Sequence, residues 1–345
     1  TKVTTKNNAL DELCWSPLEK TGSMRDILSK SFMSPDSGAK LLDFLYTDFE
    51  QQKTLTEGFY GHTSIGSLFM ANQIMDNQTS LTPDWEAFLT GISYGDKVFI
   101  VGSAFGGTGA SGVPTIAQIL KNYRNGLDIA ALLVMPYFKF NYQDDGIIDF
   151  TTFTTKTKAA MSFYDKQNFD QKLKTLYVIG EDVDLFMTVN YSEGGQSQAN
   201  NPNPIELCAA TALIDFLADA GDIPFSVRLM TRDTEGQKLL VSQNMLNLAG
   251  RSGSFMRLAA FMKLCVMYTK YYYHHLKSGK ANGAWIDKYK GISSEEAEDL
   301  YNYCMNFIDW IKFMHYKTDE NGRLVNGLVE NVRLFRFGAD YFSLY

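Results

Sequence analysis

Basic charge is scarce in this sequence. Lys and Arg number 32 against 39 Asp and Glu, a formal net charge of −7. General nucleic-acid binders carry the opposite excess, so no nucleic-acid partner is expected. Long apolar runs are lacking too. No stretch reaches the roughly 18 residues that a spanning helix needs, and no membrane partner is expected. Nothing near Thr1 reads as a signal peptide. Cysteine is sparse: Cys14, Cys208, Cys265 and Cys304 lie far apart, with no C-x-x-C pair and no zinc-like spacing. They are expected to be buried free thiols in a reducing compartment, which makes the chain cytoplasmic. The sequon Asn77-Gln78-Thr79 has no other sign of secretion beside it. Histidine is equally thin. His62 stands alone, His315 lies near a helix end, and His274 and His275 are adjacent, so they cannot make an i, i+4 metal pair. No metal site is expected from these residues. No G-x-S-x-G elbow occurs, and no Gly-Lys-Ser/Thr closes a P-loop.

What is present is a chain able to fold. Hydrophobic residues make up 45% of 345, which excludes wholesale disorder and suits one large domain or two of ordinary size. Residues 36–57 carry Leu41, Leu42, Leu45, Phe49 and Leu55 at amphipathic helical spacing. Further helices are expected over 64–76 and 83–93. Lys97–Gly102 is a short β-branched run typical of a buried parallel strand. A Gly-rich loop follows, then a helix expected to start at Pro114, since proline suits a first helical turn. Ile129–Met135 is a second strand, 151–167 a helix, and 176–180 a third strand. Strand, helix, strand, helix, strand predicts an α/β protein with a parallel, doubly wound sheet. A polar loop over 186–203 precedes an apolar helix over 204–218. Strands are expected over 225–230 and 238–242. Two long helices, 254–278 and 294–316, dominate the remainder, and 323–337 mixes strand and loop character.

The segment Gly102-Ser103-Ala104-Phe105-Gly106-Gly107-Thr108-Gly109-Ala110-Ser111-Gly112-Val113-Pro114 carries the chemistry. Glycine lets backbone close around a bulky anion, because no Cβ intrudes and positive φ is open to it. Successive N–H groups then face phosphate oxygens, helped by the positive end of the following helix. Ser103 and Thr108 add hydroxyls. Gly107 to Gly112 also reads as G-x-G-x-x-G after a strand, but the next strand ends in Met135-Pro136 with no acidic residue for a ribose.

This segment resembles the phosphate loop of the tubulin and FtsZ superfamily. Gly106-Gly107-Thr108-Gly109 matches the family's central Gly-Gly-Thr-Gly. Pro114-Thr115-Ile116-Ala117 fits the Pro-x-Ile-Ala helix start of its bacterial members. Met135-Pro136-Tyr137-Phe138-Lys139-Phe140 looks like the family's strand ending in a Pro-Phe-x-Phe turn. The resemblance covers roughly residues 96–218. It implies a nucleotide-binding sheet of tubulin/FtsZ type over 1–203, a long central helix over 204–220, and a mostly helical C-terminal domain over 221–345.

By that resemblance, Ser103, Gly106, Gly107, Thr108, Gly109, Ala110 and Ser111 would line the phosphates of GTP or GDP, with or without Mg. Pro136 and Tyr137 would shape the ribose side, and Glu181, Asn200, Asn201 and Asn203 the base end. Guanine comes from the resemblance alone. Self-association, filament formation and GTPase activity are implied in the same way, with the C-terminal helices open to a protein partner. The sequence departs from the family at Phe105 and Ser111, which replace glycines. It also lacks the family's Asn-x-Asp-x-x-Asp catalytic pattern after the central helix. Asp215, Asp219 and Asp222 lie near that place and read as a solvated helix end. The family's first glycine loop has no counterpart in residues 1–95, so the resemblance implies that it lies upstream of Thr1. Three alternatives stay open: a non-hydrolysing tubulin-like scaffold, a Rossmann-type dinucleotide enzyme, and a plain structural turn.

Other features have ordinary readings. Tyr268, Tyr271, Tyr272 and Tyr273, interspersed with Lys263, Lys270 and Lys277, are expected to pack between helices, as are Phe255, Met256, Phe261, Met262 and Met267. Glu295, Glu296, Glu298 and Asp299 after Ser293-Ser294 are expected to serve capping and dipole stabilisation.

Overall fold

The computed structural model describes residues 23–29, 35–52, 59, 63–76, 80–81, 83–93, 95–123, 126–140, 150–180, 187–189, 204–218, 225–230, 254–278, 293–318 and 324–326. The chain divides into two compact units. One comprises 1–199 with 222–228, the other 200–221 with 229–345.

The first unit opens with helices α1 (Met24–Ser29), α2 (Pro35–Leu45), α3 (Asp48–Gln51) and α4 (Thr63–Ile74). The single helix expected over 36–57 is broken at Thr47. Its hydroxyl accepts from the Glu50 N–H at 3.3 Å while Glu50 returns a bond from the Thr47 N–H at 2.8 Å, so a new helix is capped there. The break also splits the expected apolar face. Leu42 is fully buried, whereas Leu41, Leu45 and Phe49 are exposed. A short hairpin, β1 (Met75–Asp76) with β2 (Ser80–Leu81), leads to α5 (Pro83–Gly91).

The sheet follows. Strand β3 (Lys97–Ser103), helix α6 (Gly107–Tyr123), strand β4 (Asp128–Val134), a short β5 (Phe138–Phe140), helices α7 (Phe150–Lys166) and α8 (Phe169–Lys172), and strand β6 (Thr175–Ile179) come in that order. β5 pairs in parallel with β7 (Met187–Val189) away from the main sheet. β3, β4 and β6 are parallel neighbours with continuous register. β8 (Ser226–Met230) adds a fourth strand beside β6. Ser226 meets Lys174 and Thr175 while Arg228 meets Tyr177, so β8 runs the same way. The molecule is therefore α/β with a parallel four-stranded sheet.

Alternation along the strands builds the core. Ile100, Ile129, Ala131, Leu133 and Leu176 lie on one face and pack with Ala110, Val113 and Ala117 of α6 and with Ala160 and Tyr164 of α7. Both helices cover the same face. That is what two right-handed crossovers stepping in one direction across a sheet must produce.

Helix α6 begins at Gly107, seven residues before the expected start, and Pro114 sits in its interior. Ser111 makes the early start workable: its buried hydroxyl donates to the Gly107 carbonyl at 2.6 Å. Proline's missing N–H leaves the Ala110 carbonyl without its i+4 donor. The Tyr164 hydroxyl replaces it, donating at 2.7 Å.

In the second unit α9 (Pro204–Ala218) coincides with the expected 204–218 helix. Asp215 is buried, which corrects its reading as part of a solvated helix end. A continuous helical rod runs through α10 (Ser254–Met267), a π-helical turn (Tyr268–Tyr272) and α11 (Tyr273–Ser278). Helix α12 (Ser294–His315) packs antiparallel to it and leads into the β9 (Tyr316–Thr318) and β10 (Leu324–Asn326) hairpin. Ser293 caps α12: its hydroxyl accepts from the Glu296 N–H at 3.1 Å, and its own N–H donates to the Glu296 carboxylate at 2.8 Å. Tyr268 and Tyr273 are buried between these helices, Tyr271 is exposed, and so is Met267 from the expected core set. The 238–242 strand and the side chains of Phe255 and Met256 lie outside the described residues.

Candidate phosphate-binding loop

In open parallel sheets, ligands bind beyond the carboxyl ends of the strands. The register places Ser103, Val134 and Ile179 level at that end. The ladder then runs one step further on both sides of β4. The Ala104 N–H donates to the Val134 carbonyl at 2.8 Å and the Met135 N–H to the Ile179 carbonyl at 2.6 Å. The bend Ala104–Gly106, the Pro136-Tyr137 turn and Gly180 consequently leave the sheet side by side. The first two are segments that the resemblance assigned to one pocket, and Gly180 directly precedes the Glu181 that it assigned to the base end.

The glycines act through close approach rather than unusual backbone. Among the described residues, positive-φ glycines occur only at Gly95 and Gly126. A Cβ at Gly109 would collide with the Ser103 backbone, its carbonyl oxygen lying 2.8 Å away. A Cβ at Gly102 would meet the Val113 side chain at 2.5 Å and Gly109 Cα at 3.1 Å. Gly102 and Gly109 therefore let β3 and α6 meet backbone to backbone. Gly106 differs, because a Cβ there meets only the Ser103 hydroxyl, at 2.7 Å.

Thr108 is exposed, Ser103, Gly106 and Gly109 are half-buried, and Gly107, Ala110 and Ser111 are buried. The first turn of α6 offers the N–H groups of Gly107, Thr108 and Gly109, which no carbonyl of the helix can accept. They sit at the positive end of the helix macrodipole, equivalent to about half an elementary charge. The Ser111 hydroxyl, by contrast, is committed to the Gly107 and Thr108 carbonyls at 2.6 and 3.2 Å. It stabilises the loop instead of facing a ligand.

Two neighbours flank the loop. Helix α4 rests on it through Gly66, where a Cβ would clash with the Ser111 hydroxyl and lie 2.8 Å from the Gly107 carbonyl. The part of α4 around Gly66 thus lies against the loop. On the other side Phe105, one of the two glycine replacements, joins an aromatic cluster. Its ring lies 5.1 Å from Phe153, 5.6 Å from Phe138 and 6.4 Å from Tyr137. Pro136 is buried and Tyr137 half-buried next to this cluster. Glu181, Asn200, Asn201 and Asn203 lie outside the described residues.

Sequence reasoning passed over Lys156. Helix α7 is pinned at Phe153 against Phe105 and at Tyr164 against Ala110. Lys156 shares the i, i+3, i+7, i+11 stripe of Phe153, Ala160 and Tyr164, so it lies between the two pins. It is half-buried, and among the described residues it makes no ion pair or hydrogen bond. Burial holds its ammonium pKa below the usual lysine value. A lysine set into an otherwise apolar helical stripe was the available signal.

No protein-family model, curated protein or solved structure matches the chain.

Proposed function

We propose that the chain binds a guanine nucleotide as a tubulin/FtsZ-like protein, with its phosphates on the Phe105–Gly109 bend and the first turn of α6. The observation that carries this reading is the convergence at one sheet end of three segments. These are a glycine bend running into first-turn amides that no carbonyl of the helix accepts, the Pro136-Tyr137 turn, and Gly180. An exposed Thr108 and a half-buried Lys156, which has no counter-ion among the described residues, would supply the donor and charge that phosphates require. The residues suit the group: among the described residues, a Cβ at Gly106 would meet the Ser103 hydroxyl, which can itself donate to a phosphate. Magnesium would arrive on the phosphates, since that ion is usually held by phosphate oxygens and water with few protein ligands. Guanine as the base, self-association into filaments and GTP hydrolysis rest on the motif resemblance. A cytoplasmic location rests on the scattered cysteines. Among the described residues, no helix is long and apolar enough to cross a membrane.

A scaffold that holds nucleotide without hydrolysing it is the second reading. The absence of an Asn-x-Asp motif after the 204–218 helix and the burial of Asp215 favour it.

Purified protein, denatured and its released ligand identified by mass, separates the readings. GDP or GTP together with nucleotide-dependent pelleting supports the first. Bound nucleotide without polymer or turnover supports the scaffold. NAD or NADP points to the dinucleotide enzyme. Failure of GTP, GDP and pyrophosphate to bind at millimolar concentration would refute the loop assignment.

A further inference from the structure

Cys265 in α10 and Cys304 in α12 are both fully buried. Contacts on either side set them opposite one another. Phe261 meets Phe307 with ring centroids 4.9 Å apart, and the Tyr268 hydroxyl donates to the Ala297 carbonyl at 2.9 Å. Partners thus descend α12 as they ascend the facing rod, and the two cysteines fall between these contacts.

The geometry points to a redox modification site: we propose that peroxide converts Cys265 and Cys304 into an intramolecular disulfide joining α10 to α12. The Cys304 thiolate attacks a peroxide oxygen. The O–O bond breaks, the leaving hydroxide takes up a proton as water, and Cys304 becomes a sulfenic acid. Cys265 sulfur then attacks the sulfenyl sulfur, the S–S bond forms, and the S–O oxygen leaves as a second water. Two thiols lose two electrons and hydrogen peroxide gains them.

Burial raises both thiol pKa values, pushing Cys265 up to about 12, and the neighbouring thiol raises Cys265 further while it favours ionisation of Cys304, so Cys304 takes the role of first nucleophile. The reaction is therefore slow near neutrality and quickens with pH, because the thiolate is the nucleophile. Once formed, the bond closes a loop of roughly 40 residues and constrains the unfolded chain.

The test is to expose the folded full chain to hydrogen peroxide at pH 7 and pH 8.5. After quenching and alkylation under denaturing conditions, the peptides are mapped by mass. The expected product is one linked peptide pair joining Cys265 to Cys304, lighter by two hydrogens and formed faster at pH 8.5. A rise in Tm of about 5–10 °C, reversed by dithiothreitol, should accompany it. The Cys265→Ala and Cys304→Ala variants should show neither the link nor the rise. Recovery of both thiols as alkylated peptides overturns the proposal. So does a link through Cys14 or Cys208, or sulfinic acid on either residue in place of the link. The wild-type map needs no variant to fold.

Discussion

The Tyr164 hydroxyl donates to the Ala110 carbonyl, the group from which Pro114 withholds a helical N–H. A residue 54 positions away in sequence repairs the backbone of the glycine-loop helix. Burial raises the phenol pKa, so it stays a donor throughout the neutral range. Tyr164→Phe should cost about 1–3 kcal/mol in urea unfolding, the usual penalty for a buried carbonyl left without its partner. Pro114→Ala restores the missing N–H, so Tyr164→Phe should cost much less in that background. Strict additivity of the two changes would show that the hydroxyl has no such role.

The glycines of the loop should sort by what their missing Cβ would strike. Gly109→Ala meets the Ser103 backbone and should destabilise by about 3 kcal/mol or more, with β3 and α6 forced apart. Gly106→Ala meets only the Ser103 hydroxyl and should cost about 1 kcal/mol or less. Thermal unfolding of both variants tests the order. Equal losses would contradict the close-approach account.

Lys156→Met should weaken binding of GDP or pyrophosphate about 10- to 100-fold, the loss expected for a charge-assisted contact. Stability should hold or rise, because a desolvated charge is removed. The pH dependence has a definite sign. Burial lowers the free-state lysine pKa, and a bound phosphate favours the charged form. Affinity should therefore fall as pH rises through that lowered value, with proton uptake on binding measurable by calorimetry in buffers of different ionisation enthalpy. A pH-independent affinity in this range, or unchanged binding by the variant, would remove Lys156 from the site.

The cap of α12 gives an acid-side prediction. The Ser293 N–H holds the Glu296 carboxyl below its usual value. A depressed carboxylate adds stability above its unfolded pKa and loses it as pH falls through the folded one. The stability difference between wild type and Glu296→Gln should therefore shrink from roughly pH 5 to pH 3. A constant difference across that window would contradict the cap. Ser293→Ala should cost about 0.5–2 kcal/mol near neutrality, read by urea unfolding.

Much of the α/β framework was legible because its signals are local. Continuous apolar runs at 97–102 and 129–135 gave β3 and β4 to within a residue. β4 is buried along most of its length, as such a run implies, whereas in β3 only Ile100 is buried and Val101 is exposed, which corrects the buried-strand reading there. The 204–218 helix was readable from Pro204 and its apolar run. The start of α6 was not. Pro114 is a good first-turn residue, and nothing nearby in sequence announces that Tyr164 will tolerate it inside a helix. Helix 36–57 failed for a related reason: apolar spacing outweighed the Thr47/Glu50 capping pair written into the same stretch. In the site, the glycine bend and the Pro136-Tyr137 turn were visible as motifs. Lys156 was hidden because its place depends on two long-range contacts of α7.

Gly66 carries a consequence for sequence variation. Helix α4 touches α6 there across the small Ser111 side chain and the Gly107 carbonyl, so positions 66 and 111 share one small volume. In a randomised library the two should behave as a correlated pair. Enlarging one would demand shrinkage at the other, and Gly66 is already at the minimum. Exposed Thr108, a neighbour in sequence, sits outside that constraint and is free to vary without disturbing the helix contact.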